Sequence, residues 1–152
     1  MGGGIPGGGG AAVGMSADWQ PDDLLLRQVH PHHWNGSEPN SVAFMPTPKD
    51  DDLLSVDDAR LTTAVNALNH FTSELGFKSA GTWAVSTAEV SAAGDLTWRS
   101  DPIVDATDAA KSNPAHCVID FTQLKSKGER KRCAQKLALH ASARGSLCLC
   151  LE

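Results

Sequence analysis

The chain contains no tyrosine, and its four Trp and four Phe make up 5% of its 152 residues. So few aromatics leave its basic segments without rings to stack on bases, a device that single-stranded nucleic-acid binders depend on. No apolar stretch approaches the roughly 18 residues that a membrane-spanning helix needs. The first residues have neither the basic flank nor the apolar run of a secretory leader. These absences lead us to expect a soluble, cytoplasmic protein. The four cysteines, Cys117, Cys133, Cys148 and Cys150, gather near the C-terminus instead of spreading as staples, and none forms a C-x-x-C pair. We expect reduced thiols that are buried as small hydrophobes in preference to holding a soft metal.

What is present suits one folded unit. Hydrophobic residues at 41% and charged residues at 20% supply a core and argue against wholesale disorder. Eight of the fourteen glycines lie within the first fourteen residues. Backbone entropy opposes ordering such a run, so residues 1–18 are expected to form a disordered Gly-rich tail and 19–152 a single domain. The overall charge of −5 conceals an asymmetry. Residues 1–124 carry sixteen acids against six basic residues, whereas 125–152 carry seven basic residues against two acids. Lys127, Arg130 and Lys131 belong to this basic segment and could meet phosphates, a nucleic-acid reading. The alternative, which we favour, is a solvated helix face that complements acids such as Asp50, Asp51 and Asp52.

Hydrophobic patterning predicts an α+β protein: a mixed, mostly antiparallel sheet with two packed helices. Strands are expected at 22–30, 41–45, 53–56, 81–90, 116–121 and 146–151, with a brief edge pairing at 96–99. Apolar positions from Leu61 to Leu75 recur at three and four residues and end before Gly76, which predicts a helix. Ser126 followed by Glu129 has the form of a capping box and starts a second helix that runs to Gly145. Its expected apolar stripe is Cys133, Ala134, Leu137 and Ala141.

Among residues able to carry chemistry, His30, His32 and His33 form the densest group. Neutral imidazoles bind zinc, and the start resembles the H-x-H of the metallo-β-lactamase superfamily, but Trp34 and Asn35 stand where Asp-His would follow. We expect no metal there, and instead a turn that offers His30, His32, His33 and Trp34 for binding. His70 falls on the polar side of its helix and is expected to be exposed. His116 and Cys117 are strand neighbours whose side chains point oppositely, so they form no nucleophile and base pair. Arg27 is a lone charge inside an apolar strand and must end in water, a carboxylate or a bound anion.

The order Arg27, Ser41, Glu89 resembles that of arginine-type ADP-ribosyltransferases. That likeness implies an NAD-using enzyme or toxin with Arg27 on the dinucleotide, Ser41 supporting it and Glu89 as the catalytic carboxylate. A second likeness covers roughly residues 24–121. Arg27-Gln-Val-His-Pro31, Ser41-Val-Ala-Phe44, Leu54-Ser-Val56, Asp101-Pro102 and Asn113-Pro-Ala-His116 resemble, in order, the motifs of a widespread group of small uncharacterised bacterial proteins. It implies membership and no activity. The expectation drawn from the sequence is a bacterial protein without chemistry or cofactor of its own that binds another protein. The transferase is the alternative, and nucleic-acid contact through the basic helix is the third reading.

Overall fold

The computed structural model describes residues 18–150, so most of the expected tail lies outside the described residues. Six strands form one sheet: β1 Leu24–Val29, β2 Leu53–Asp58, β3 Gly81–Ser86, β4 Thr97–Ser100, β5 His116–Asp120 and β6 Cys148–Leu149. The order is β4-β5-β2-β1-β3-β6 and every pairing is antiparallel. Three helices accompany it: α1 Ala64–Asn69, α2 Thr87–Ala93 and α3 Lys127–Arg144. The α+β class stands as expected, with an antiparallel sheet in place of a mixed one and a third helix added.

Alternation gives the sheet two unequal faces. Leu25, Val29, Leu54, Val56, Trp83, Val85, Cys117 and Ile119 point to one side. There they pack with Val90 and Ala93 of α2 and with Cys133, Ala134, Leu137, Ala138 and Ala141 of α3. This is the main core. Phe44, Phe121 and Leu137 have no exposed surface in it, and burying each such side chain contributes about 1.5–3 kcal/mol. The other face is covered only in part. Leu26, Ala84 and Ala67 make a small cluster beneath α1, and α1 is too short to roof the strands beyond it.

Local chemistry explains the boundaries. In α3, Ser126 Oγ accepts the Glu129 N–H at 3.1 Å while Glu129 Oε1 accepts the Ser126 N–H at 3.0 Å, the expected capping box. An equivalent box, Ser86 with Glu89, starts α2 and ends β3. It corrects the strand expected to continue to Val90. The strand expected at 41–45 is a 3-10 turn, Ser41–Phe44, because Asn40 Oδ1 accepts the Val42 N–H at 3.0 Å and bends the chain. Thr63 caps α1, which widens into a π turn at His70–Glu74 and stops before Gly76 at φ +75°. The strand expected at 53–56 runs on to Asp58 as β2, and the one expected at 146–151 shrinks to Cys148 and Leu149 with both leucines at 147 and 149 part-exposed.

Candidate functional site

The sheet has an opening in its middle. β1 pairs with β3 along all six of its residues, yet it pairs with β2 only at Leu25 and Leu26. Beyond Leu26 the two strands part, and Arg27 fills the gap. Its Nε donates to the Ala43 carbonyl at 2.7 Å and its Nη1 to the Ser55 carbonyl at 2.9 Å. No carboxylate among the described residues forms an ion pair with it. Burial pushes the guanidinium down to about 10 from its ordinary 12.5, an effect the charge of Asp50 only partly offsets. A half-buried cation satisfied by carbonyls alone has spare N–H groups and an unneutralised charge.

Arg27 lines a cavity of about 390 Å³ on the incompletely roofed face. Apolar walls come from Leu26, Ala67, Phe71, Leu75, Phe77 and Ile103, and polar groups converge from β2, β5 and the connection before β5. Strand register dictates part of this. Asp57 stands opposite His116, and Ser55 lies two residues along on the same face. His116 Nε2 is 3.1 Å from Ser55 Oγ, and its Nδ1 is 2.8 Å from the Asp101 carbonyl and 3.4 Å from the Asp101 carboxylate. Asn113 caps the turn into β5 by accepting the Ala115 N–H and also donates to Asp57 Oδ1 at 2.8 Å. Burial raises the Asp57 carboxyl above its usual range, against the Asn113 hydrogen bond and the charges of His116 and His70.

His70 corrects its expected exposure: it is half-buried, lines the cavity, and its Nε2 is shut from solvent with no hydrogen-bond partner. The π turn that begins at this residue sets its position, a use such turns often have. A second cavity of about 350 Å³ adjoins the first through Arg27, Gln28, Phe71 and Phe77. It adds His30, His33 and Lys78 and contains no acidic side chain. Burial lowers the His33 imidazole, and the charges of His30, Arg27 and His32 lower it further. The second cavity is positive and edged by aromatic rings, whereas the first sets the carboxylates of Asp57 and Asp105 against Arg27 and Lys111.

Other expected site residues fall elsewhere. Ser41 lines a separate shallow hollow with Glu38 and Leu139. Glu89 is held on the α3 side by Arg144, whose two nitrogens bond its carboxylate at 2.8 and 2.9 Å, with His140 at 3.6 Å. Arg27 and Ser41 therefore line different cavities, and Glu89 lines neither of them. Trp34 packs against the core beside Trp83, so the turn does not display it. His30 stacks with His32 and His33 at ring centroid distances of 4.7 and 5.8 Å, but its Nδ1 accepts the His32 N–H. No group of three or more His, Cys, Asp or Glu side chains among the described residues is arranged to hold a metal. Lys127 and Lys131 are exposed, whereas Arg130 is tied to the Leu124 carbonyl and lies 3.4 Å from Asp52.

No family model, curated protein or solved structure matches the chain. Residues of five short sequence motifs meet at one place. Arg27 bonds the carbonyls of Ala43 and Ser55, Ser55 meets His116, and His116 meets Asp101. Sequence reasoning named Arg27, His30 and His33 and missed Ser55, Asp57, His70, Asp101, Asn113 and His116 as cavity or cavity-supporting groups. For Ser55, Asp101, Asn113 and His116 the missed signal lay in those motifs, whereas Asp57 and His70 fall outside them and carried none.

Proposed function

We propose that the protein is a binding module that receives an anionic group, a carboxylate or a phosphate carried on an apolar stem, in the cavity where β1 and β2 part. The observation that carries this is Arg27: half-buried, in no ion pair with an acid among the described residues, and bordering both cavities. His33 and Lys78 add nitrogen donors beside it in the acid-free second cavity, Lys111 faces Asp105 in the first, and Phe71, Phe77 and Ile103 suit the stem. A protein partner is one source of such a group. A cavity of about 390 Å³ admits one side chain or one small molecule, so a partner protein would enter by an acidic chain end. The transferase alternative loses its support, since Glu89 is engaged by Arg144 away from this cavity.

Thermal unfolding of the full chain with phenyl phosphate, phenylacetate and uncharged benzyl alcohol tests the proposal. The two anions should stabilise the wild type, by about 2.7 kcal/mol at a hundredfold excess over Kd, and the alcohol should not. A pentapeptide ending in Phe-Glu distinguishes a protein chain end from a free small molecule. Dinucleotide added in the same assay tests the alternative. Equal effects of anions on the wild type and on Arg27→Met would refute the proposal.

A further inference from the structure

The cavity also holds an arrangement whose chemistry goes beyond binding. A carbonyl oxygen can only accept, so the 2.8 Å contact with the Asp101 carbonyl places a proton on His116 Nδ1. In the neutral ring Nε2 then presents its lone pair to the Ser55 hydroxyl, 3.1 Å away. The His116 side chain is only 13% exposed and its ring is held at both nitrogens, whereas Ser55 is exposed on the cavity wall. Nucleophile, base and orienting group stand in the order that activation of a serine requires. The Arg27 guanidinium, already bonded to the carbonyl of the same serine, supplies fixed positive charge beside it.

We propose that Ser55 is a nucleophile acylated by carboxylic esters, with His116 as its general base, Arg27 as the cation facing the oxyanion, and Asp101 as the residue that positions the imidazole. This rests on the reading of the cavity as a receiver of negative charge, the charge here being the one that forms during reaction. Ser55 Oγ bonds to the ester carbonyl carbon while its proton passes to His116 Nε2, and the carbonyl π pair moves onto oxygen. Collapse of that oxyanion breaks the ester C–O bond, and Nε2 returns the proton to the departing alkoxide, which leaves as the alcohol. Water, deprotonated by the same nitrogen, then attacks the acyl carbon. Oγ leaves as the water proton returns to it, which releases the carboxylic acid and restores the free serine. The apolar walls at Leu75, Phe77 and Ile103 suit a short apolar acyl chain.

The test is labelling of the full chain by a fluorophosphonate, which joins Oγ to phosphorus with loss of fluoride, followed by peptide mapping. Turnover of 4-nitrophenyl butyrate is measured alongside. A single adduct on Ser55 is expected, absent in S55A, with the rate rising with pH in the wild type. His116→Gln should slow labelling by roughly 100-fold or more and remove that rise. Asp101→Ala keeps the carbonyl that holds Nδ1, so it should retain labelling while moving the pH profile to lower pH. An unlabelled wild type, a label on another residue, or S55A labelled as fast as wild type would overturn the proposal. If phenyl phosphate still stabilises the chain through Arg27 while the probe leaves Ser55 untouched, acylation fails and the binding site stands.

Discussion

Replacing Arg27 separates a charge kept for function from one kept for stability. The fall of its ionisation from 12.5 to about 10 sets an upper bound of about 3 kcal/mol on the cost of carrying the charge, because the side chain is only half-buried and water screens it. Against this stand two charge-assisted hydrogen bonds, to Ala43 and Ser55, worth ~1.5–3 kcal/mol each. The two bonds together supply ~3–6 kcal/mol, so Arg27 adds a net stability of at most a few kcal/mol. Arg27→Met, of similar length, removes the desolvation cost and leaves two carbonyls, of which the one on Ser55 can turn to water in the cavity. We expect it to lie within about 2 kcal/mol of the wild type. Arg27→Lys keeps the charge but cannot span both carbonyls, so it should be the less stable of the two variants. Anion binding should rank in the opposite sense, with wild type above Arg27→Lys and Arg27→Met last. Urea unfolding followed by fluorescence of the core Trp83, beside calorimetry with phenyl phosphate, gives both orders. A loss above about 4 kcal/mol in Arg27→Met, or greater stability in Arg27→Lys than in Arg27→Met, would make the arginine a structural tie and refute this reasoning.

Burial alone would raise the Glu89 carboxyl, but Arg144 and the Ser86 N–H hold it below the ordinary 4.5. The stability it contributes is present above that value and lost as pH falls through the lowered one, so Glu89→Gln should cost about 1–2 kcal/mol at neutral pH and flatten the acid limb of a melting-temperature profile. For His33, lowered by burial and by the neighbouring charges, the unfolded chain takes up protons first as pH drops below 6.5. Stability is complete above that pH and declines beneath it, and His33→Asn should remove the corresponding slope from the same profile. Gly81→Ala would place a Cβ 2.5 Å from the Cys148 carbonyl and 3.0 Å from the Leu149 Cα. We expect β6 to detach, so that the amides of Leu147 and Cys150, which bond the carbonyls of Thr82 and Ala80, exchange rapidly while the central strands stay protected.

Elements specified by short-range chemistry were legible. The Ser126 and Glu129 pair located α3, and three-and-four spacing gave Cys133, Ala134, Leu137 and Ala141 as its buried side. Alternation in β5 correctly set Cys117 and Ile119 against His116, Val118 and Asp120. The errors arose where two local signals competed. From Gly81 to Val90 the β-branched and aromatic content outweighed Ser86 and Glu89, although these form a second capping box. From Ser41 to Met45 an apolar run outweighed Asn40, whose side chain turns the backbone. In both cases a single side chain bonding the main chain overrode residue preference.

The site was hidden for a different reason, since its geometry depends on strand order. Ser55 and His116 are 61 residues apart and meet only because β5 lies beside β2. The segment Ser41–Phe44 does meet Arg27, through the Ala43 carbonyl, but as a turn and not as a strand. The strand beside the gap is β2, and the ladder between β1 and β2 stops after two pairs. That interruption gives the cavity its chemistry. Had the ladder continued, the Ser55 carbonyl would be free to bond a β1 amide, and the Arg27 guanidinium would lack the space between strands that it now occupies. A lone arginine in an apolar strand needs acceptors that a regular sheet has already used, so its presence in the sequence implies an irregularity nearby. Here that irregularity is the opening that brings the guanidinium beside Ser55 and, through it, His116.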